Sequence, residues 1–240
     1  MKRKTKITQP VSIVMIAYNE SKNIAKVLTE YCDDIYLLLP PRSEFIIYLD
    51  KPSDKTPQIV NRISKKIKIK VISGDKNLGY AKAMKIALLR AKNDIVFYSD
   101  SSGKHSAKDF WKLLPHIKKF DIVTGCRSNR SDPFVRRVIT VLQQLLVVTL
   151  FRVPFYDYNT GFKIVKKKIL IDVLPECRHA KQSFSTELCV RALHKKASIA
   201  NIPVSFNKRE QKNQGTNFKS LPGIIKNNLM ALLKIHKDLR

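Results

Sequence analysis

Acidic residues are scarce in this 240-residue chain: 19 Asp and Glu stand against 46 Lys and Arg, a formal net charge of +27. Such a balance favours anionic partners, whether nucleic acid, an acidic membrane surface or phosphorylated substrates, and part of it serves equally as a solvated lysine surface. No aromatic-and-basic motif of a known nucleic-acid-binding module is present, which sets nucleic acid aside. The four cysteines, Cys32, Cys126, Cys177 and Cys189, form no C-x-x-C pair and have no histidine at metal-ligand spacing. Neither a zinc site nor a disulfide framework is expected, and a reducing compartment is. Long hydrophobic runs are missing too. The longest apolar stretch, Val138 to Phe151, is broken by Thr140, Gln143, Gln144 and Thr149, and it falls short of the roughly 20 apolar residues a bilayer span needs. The basic start Lys2-Arg3-Lys4 runs into polar residues rather than a signal-peptide core. There is no internal repeat. With 44% apolar content, the chain can bury one sizeable core.

What is present is a repeated local form: a hydrophobic strand, then polar residues, then a helix. Val11 to Ala17 leads into Tyr18-Asn19-Glu20, Glu44 to Leu49 leads into Asp50, and Asp94 to Ser99 leads into Asp100-Ser101-Ser102-Gly103-Lys104-His105. In open α/β sheets the crevice beyond the carboxyl ends of the strands binds ligands, so three acidic strand ends on one edge suggest a nucleotide site. Helices are expected at about 21–32, 56–65 and 81–91, with Pro57 in a first turn, and a half-exposed strand at 68–73. This βαβα order argues for a mostly parallel sheet with helices on its faces.

The second half reads differently. A helix is expected near 107–117, a strand at 121–125, and one long helix at 134–151. On a wheel that helix gathers Arg136, Arg137, Thr140, Gln143 and Gln144 on a narrow face, the rest being apolar. It is either sandwiched in protein or half sunk in a membrane interface. The tail, 224–239, sets Ile225, Leu229, Leu232 and His236 on one face among lysines, a form that suits an acidic membrane surface or a partner helix.

In order, the blocks are Val11 to Glu20 with Asn23-Ile24, Asp50 with Ser53 to Thr56, Asn77-Leu78-Gly79, Asp94-Ile95-Val96 with Asp100 and His105, Asp121 to Gly125 with Arg127, Asp157 to Lys163, Phe184 with Glu187, and Ile202-Pro203-Val204 with Arg209. In this order the chain resembles family 2 glycosyltransferases of the GT-A fold, and within them the dolichyl- or polyprenyl-phosphate hexosyltransferases. The resemblance covers about Val11 to Thr216. It implies an α/β GT-A domain at 9–218, a mostly parallel sheet flanked by helices, followed by a basic amphipathic helix at 219–240.

The resemblance also implies an inverting hexose transfer from a nucleotide-sugar of the GDP-mannose or UDP-glucose type to a polyprenyl phosphate, on the cytoplasmic face of a membrane. The donor would meet Ala17, Tyr18, Glu20, Asp50, Asn77, Gly79, Asp100, Ser101 and Ser102. Asp50 reads either as an acceptor for base or ribose hydroxyls or as a turn residue. The acceptor would meet Arg127, Arg136, Arg137, Asp157 and Asn159, although Arg136 and Arg137 read equally as a solvated helix face. Catalytic roles fall to Asp100, Arg127, Arg209 and Glu187, with Arg209 on a loop that includes Gly215. Mg²⁺ or Mn²⁺ would sit on Asp100 with Ser102. Here the chain departs from the pattern, because the family usually has a second acidic residue where Ser102 stands, which puts metal dependence in question. Lys51-Pro52 is a second departure. His105 reads as part of the site or as a helix cap, and Gly161 as a conformational requirement. A separate membrane-anchoring subunit is conceivable, because many relatives carry C-terminal membrane segments. Two rival readings remain at this stage: transfer to a sugar hydroxyl with Glu187 or Asp157 as base, and a non-catalytic relative that binds nucleotide-sugar.

Overall fold

A computed structural model describes residues 7–128, 134–207 and 221–240. The first strand, β1 (Val11–Ala17), is buried along its whole length. Alternate side chains of a strand point to opposite faces, so Val11, Ile13, Met15 and Ala17 enter one core layer while Val14 and Ile16 enter the other. Its single polar side chain is satisfied: Ser12 donates to Glu44 at 2.7 Å and accepts from the Asn93 amide at 3.1 Å.

The chain continues through α1 (Ile24–Asp34), β2 (Glu44–Leu49), α2 (Thr56–Ser64), β3 (Ile69–Ser73), α3 (Tyr80–Leu89) and β4 (Ile95–Asp100). A helical segment at 107–118 contains α4 (Phe110–Leu113). It precedes β5 (Ile122–Ser128), α5 (Phe134–Phe151), β6 (Lys163–Lys166), α6 (Lys167–Val173), α7 (Phe184–His194), β7 (Ile199–Ser205) and α8 (Leu221–Asp238).

Seven strands form one sheet in the order β3-β2-β1-β4-β6-β5-β7. The first four are parallel, β6 runs antiparallel to both β4 and β5, and β7 lies parallel to β5 at the edge. An edge position tolerates Pro203, which cannot donate to a ladder. Helices α1, α2 and α4 cover one face around Phe45, Phe97, Phe110 and Phe162. Helices α3, α5, α6, α7 and α8 cover the other. The register pairs Ala17 with Leu49 and Ile16 with Asp100, so the carboxyl ends of β1, β2 and β4 finish level.

The first-half elements lie within a few residues of their expected positions. In the second half β6, α6, α7 and β7 have no counterpart among the expected elements, and the expected strand 121–125 runs on to Ser128, which carries Arg127 within it. The C-terminal helix is not set apart from the domain: Ala231, Leu232 and Ile235 are buried in the same layer as Val14 and Val96. Among the described residues no helix is long and apolar enough to cross a membrane.

Candidate active site

The level strand ends open on a cleft of about 410 Å³ lined by Ile16, Ala17, Tyr18, Glu20, Asp50, Asn77, Gly79, Tyr80, Asp100, Ser101 and Ser102. All nine residues expected to meet the donor are in that lining. The loop at 78–79 is held by hydrogen bonds from backbone amides to a side-chain carboxylate. Asp50 is buried and its two oxygens accept from the Leu78 amide at 2.8 Å and the Gly79 amide at 2.9 Å. Of the two roles Asp50 could take from sequence, the observed bonds are those of a loop anchor. Gly79 has φ +78°, a backbone state that L side chains resist.

Asp54 does not line the cleft but fastens the chain next to Glu20, accepting from the Ser21 and Thr56 amides at 3.0 and 2.9 Å. Partial burial pushes the Asp54 carboxyl up, but the Ser21 and Thr56 bonds outweigh it and hold the pKa at about 2. Asn19 and Lys51, just beyond β1 and β2, both have positive φ, so the chain turns sharply where the cleft begins. Tyr18 is 48% exposed, leaving its ring face open to a planar ligand.

Asp100 ends β4. Its Oδ1 accepts from the Ser102 hydroxyl at 2.5 Å and the Ser102 amide at 3.2 Å. A Cβ on Gly161 would lie 3.2 Å from the Tyr80 hydroxyl and 3.4 Å from Asp100 Oδ2. A side chain at 161 would therefore crowd Tyr80 and Asp100, which would have to give by a few tenths of an ångström. Gly161 is not among the positive-φ residues, which corrects the expectation of a conformational requirement. The fit to a divalent cation is poor: one carboxylate, with one oxygen already bonded to a hydroxyl that would have to serve as the second ligand. Among the described residues no group of three His, Cys, Asp or Glu could hold a metal ion.

A second cavity, about 610 Å³, adjoins the first and shares Tyr80 with it. Its floor is Arg127, Asn159 and Phe206, and its walls are α5 and α8, through residues such as Leu142, Leu146, Leu229 and Leu232. Arg127 is clamped by Asp157 in a two-pronged ion pair, 2.6 Å from Nε and 2.8 Å from Nη2. Burial pushes the Asp157 carboxyl up, yet the Arg127 bonds prevail and keep it below the ordinary range. Beneath them Lys163 is fully buried and donates to the Thr124 hydroxyl at 2.8 Å and the Thr160 carbonyl at 2.5 Å. Burial lowers its pKa from 10.5 to about 8. His105 is not a helix cap. It is buried between Phe162 and Phe206, with ring centroids 5.0 and 5.1 Å away, its Nδ1 has no hydrogen-bond partner among the described residues, and burial lowers its pKa.

Several expected residues fall elsewhere. Glu187 lines neither cavity. It is buried in the first turn of α7, where its oxygens accept from the amides of Arg178, His179 and Ala180 and from Arg191 Nε at 3.0 Å. A carboxylate so enclosed anchors the 178–180 loop, which corrects the expectation of a catalytic carboxylate. Arg136 and Arg137 lie in the first turn of α5; Arg137 is exposed and outside the groove lining. Arg209 and Gly215 lie outside the described residues. Tyr80, Lys104 and Phe206 were not expected in the site. The position of Tyr80 directly after Asn77-Leu78-Gly79, and of Lys104 two residues after Ser102, are the only signals the sequence carried for them.

Residues 12–174 match the profile described as Glycosyl transferase family 2. The chain belongs to that family. An uncharacterized protein of Methanocaldococcus jannaschii is 32% identical over 174 residues, 67% of this chain and 73% of the relative. A dolichyl-phosphate beta-glucosyltransferase of Trichomonas vaginalis is 25% identical over 222 residues, 83% of this chain and 66% of the relative. The chain thus spans about two thirds of the length of that enzyme. Among solved structures, glucosyl-3-phosphoglycerate synthase of Mycobacterium tuberculosis, in complex with Mn²⁺, UDP-glucose and phosphoglyceric acid, superposes with a TM-score of 0.72 at 16% identity. The superposition covers 95% of this chain and 80% of the synthase. It shows that this family 2 glycosyltransferase has the GT-A fold.

Proposed function

We propose that this family 2 glycosyltransferase moves a hexose from a nucleoside diphospho-sugar to a polyprenyl phosphate at a membrane surface. The observation that carries the reading is the pairing of cavities: a cleft at the strand ends, lined by Asp50, Asp100, Ser101 and Ser102, meets at Tyr80 a groove lined by Leu142, Leu146, Leu229 and Leu232 together with Arg127. A nucleotide-sugar suits the first, with a base against Tyr18 and hydrogen bonds to Glu20. A lipid chain suits the second, with its phosphate beside the guanidinium. A planar guanidinium is well matched to a phosphate.

The chemistry supports a phosphate acceptor. A sugar hydroxyl needs a general base within reach. Glu187 is enclosed and Asp157 is bound to Arg127 on both oxygens, so neither candidate base is free for that task. A phosphate is already ionised near neutral pH. Its oxygen attacks the anomeric carbon opposite the departing diphosphate, which inverts that centre, and catalysis rests on positioning and charge. The Trichomonas relative's name gives a dolichyl-phosphate acceptor, in line with this reading.

Helix α5 supports the membrane location. Thr140 and Gln143 face the groove, while Val138, Val141, Leu142 and Leu145 are exposed. The neighbouring α8 adds Ile225, Leu229, Met230 and Leu233. Among the described residues, eight of the fourteen exposed large hydrophobic residues thus lie on these two helices, a concentration typical of an interaction surface, and the lysine excess suits acidic lipid. The test is transfer of label from GDP-mannose and UDP-glucose to a polyprenyl phosphate in detergent. Label in the organic phase from one donor is the expected result. Transfer to a soluble sugar acceptor alone would overturn the assignment.

A further inference from the structure

The loop that Glu187 anchors borders a third cavity. Besides the bonds to Glu187, three side-chain bonds tie this loop to its neighbour α8. Arg178 donates to Asp238 at 3.2 Å, the His179 ring pairs with Asp238 at 2.9 Å, and the Ser183 hydroxyl donates to Asn228 Oδ1 at 3.2 Å. Between loop and helix lies a cavity of about 300 Å³. Arg178, His179, Lys181 and Lys234 supply its basic groups, and no carboxylate is in its lining. Asp238 is shared with Arg191 as well, at 2.8 Å, so it offsets only part of the charge nearby. With Asn228 Oδ1 taken by Ser183, the amide nitrogen of Asn228 is left to donate. Basic groups and N–H donors gathered on a fixed loop and helix, without a carboxylate among them, favour an anion, and a phosphate accepts such bonds on several oxygens at once.

The place of the cavity says which phosphate. Gln182 and Asn228 line both this cavity and the acceptor groove, so the two lie on either flank of α8. Along the helix Ile225, Leu229 and Leu233 form one row at four-residue spacing, with Met230 and Lys234 in the next. All four apolar residues are exposed, and Met230 is also in the lining of the cavity. An anion seated there has apolar side chains at its rim, which suits a headgroup attached to acyl chains better than a soluble ion. We propose that this cavity takes the phosphate of an acidic membrane lipid, which sets α8 on the bilayer with the acceptor groove open alongside. The inference rests on the reading of the protein as one that works at a membrane surface. A seated headgroup fixes the orientation of the enzyme, which charge spread over the whole surface cannot do.

The experiment is co-sedimentation of the full chain with vesicles of phosphatidylcholine, alone or with about a third phosphatidylglycerol. The wild type is expected to bind the acidic vesicles, and Lys181→Gln combined with Lys234→Gln to weaken that binding about tenfold or more. Lys65→Gln combined with Lys66→Gln removes the same charge just beyond α2 and is expected to change binding by less than about twofold. In a second arm, soluble short-chain phosphatidylglycerol is expected to shift the amide resonances of 178–182 and 227–234 in the wild type and not in the Lys181 and Lys234 double variant. Inorganic phosphate at the same concentration leaves those resonances in place. Equal weakening in the two double variants, or no shift with the short-chain lipid, overturns the inference and leaves the membrane-surface reading intact. Equal shifts with inorganic phosphate overturn the assignment to a lipid. Failure of the wild type to bind any vesicle overturns the membrane-surface reading itself.

Discussion

The two cavities are built in different ways. The donor cleft is made by parallel strands that finish level, and the loops around it are fixed by backbone amides that donate to Asp50 and Asp54. The groove beside it is made by two helices distant in sequence, α5 and α8, over a floor of buried charge in which Arg127, Asp157 and Lys163 adjoin. One half depends on backbone geometry and the other on ion pairs taken out of water. Breakage of the second should therefore cost stability, whereas breakage of the first should cost chemistry.

The largest expected effect tests this directly. Arg127→Met leaves Asp157 buried without its partner, and should lower unfolding free energy by about 3–5 kcal/mol, measured by urea denaturation. If stability were unchanged, the groove floor would not depend on that pair. Asp100→Asn should do the reverse: a loss of transfer rate on the order of 10²–10³-fold at an unchanged melting temperature. A thermal shift as large as that of the Arg127 variant would erase the distinction.

Lys163 supplies a pH test. Its folded pKa of about 8 lies below its ordinary 10.5, so between those values the unfolded chain binds the additional proton. Stability contributed by this position therefore rises with pH across that window, and no further change comes from it below about pH 8. In total the difference is roughly 3 kcal/mol. Lys163→Met should remove that slope, read as the difference between wild-type and variant melting curves from pH 7 to 10.

The smallest effect belongs to α8. Asp238 accepts from Arg191 at 2.8 Å, from Arg178 at 3.2 Å and pairs with His179 at 2.9 Å. Those bonds hold its carboxyl below the ordinary range, so the stability it contributes is present at neutral pH and fades as the pH falls through the acid range. The site is partly solvated, and Asp238→Asn should cost only about 1 kcal/mol. Faster hydrogen exchange confined to α8 would be its signature.

The same contrast explains what was legible in the sequence. A strand end and the polar residues after it are adjacent in the chain, so the nine donor-side residues could be read one block at a time. Asp157 and Arg127 were legible as charged positions, but not as a pair, because they meet only when β5 is drawn alongside the turn before β6. Glu187 was misread for the same reason: its role is set by three amides that no spacing rule connects to it, and only Arg191 stands at the helical i+4 position. The strand β6 is only four residues long, Lys-Ile-Val-Lys, too short for a periodic signal. On α5 the polar stripe was visible, but not that Thr140 and Gln143 would line the groove while Val138, Val141 and Leu145 were exposed.

The antiparallel strand has a consequence for how the chain is made. β4 is paired on one side by β1 and on the other by β6, which arrives about sixty residues further along the chain, a separation whose closure slows folding. During synthesis the first half therefore waits with an open strand edge, the kind of surface that recruits other chains. A fragment that ended before Lys163 would carry every residue lining the donor cleft and still be prone to aggregate. On the proposed function, binding and transfer could not be separated into modules by cutting the chain, because the strand that pairs the open edge of β4 is supplied by the second half.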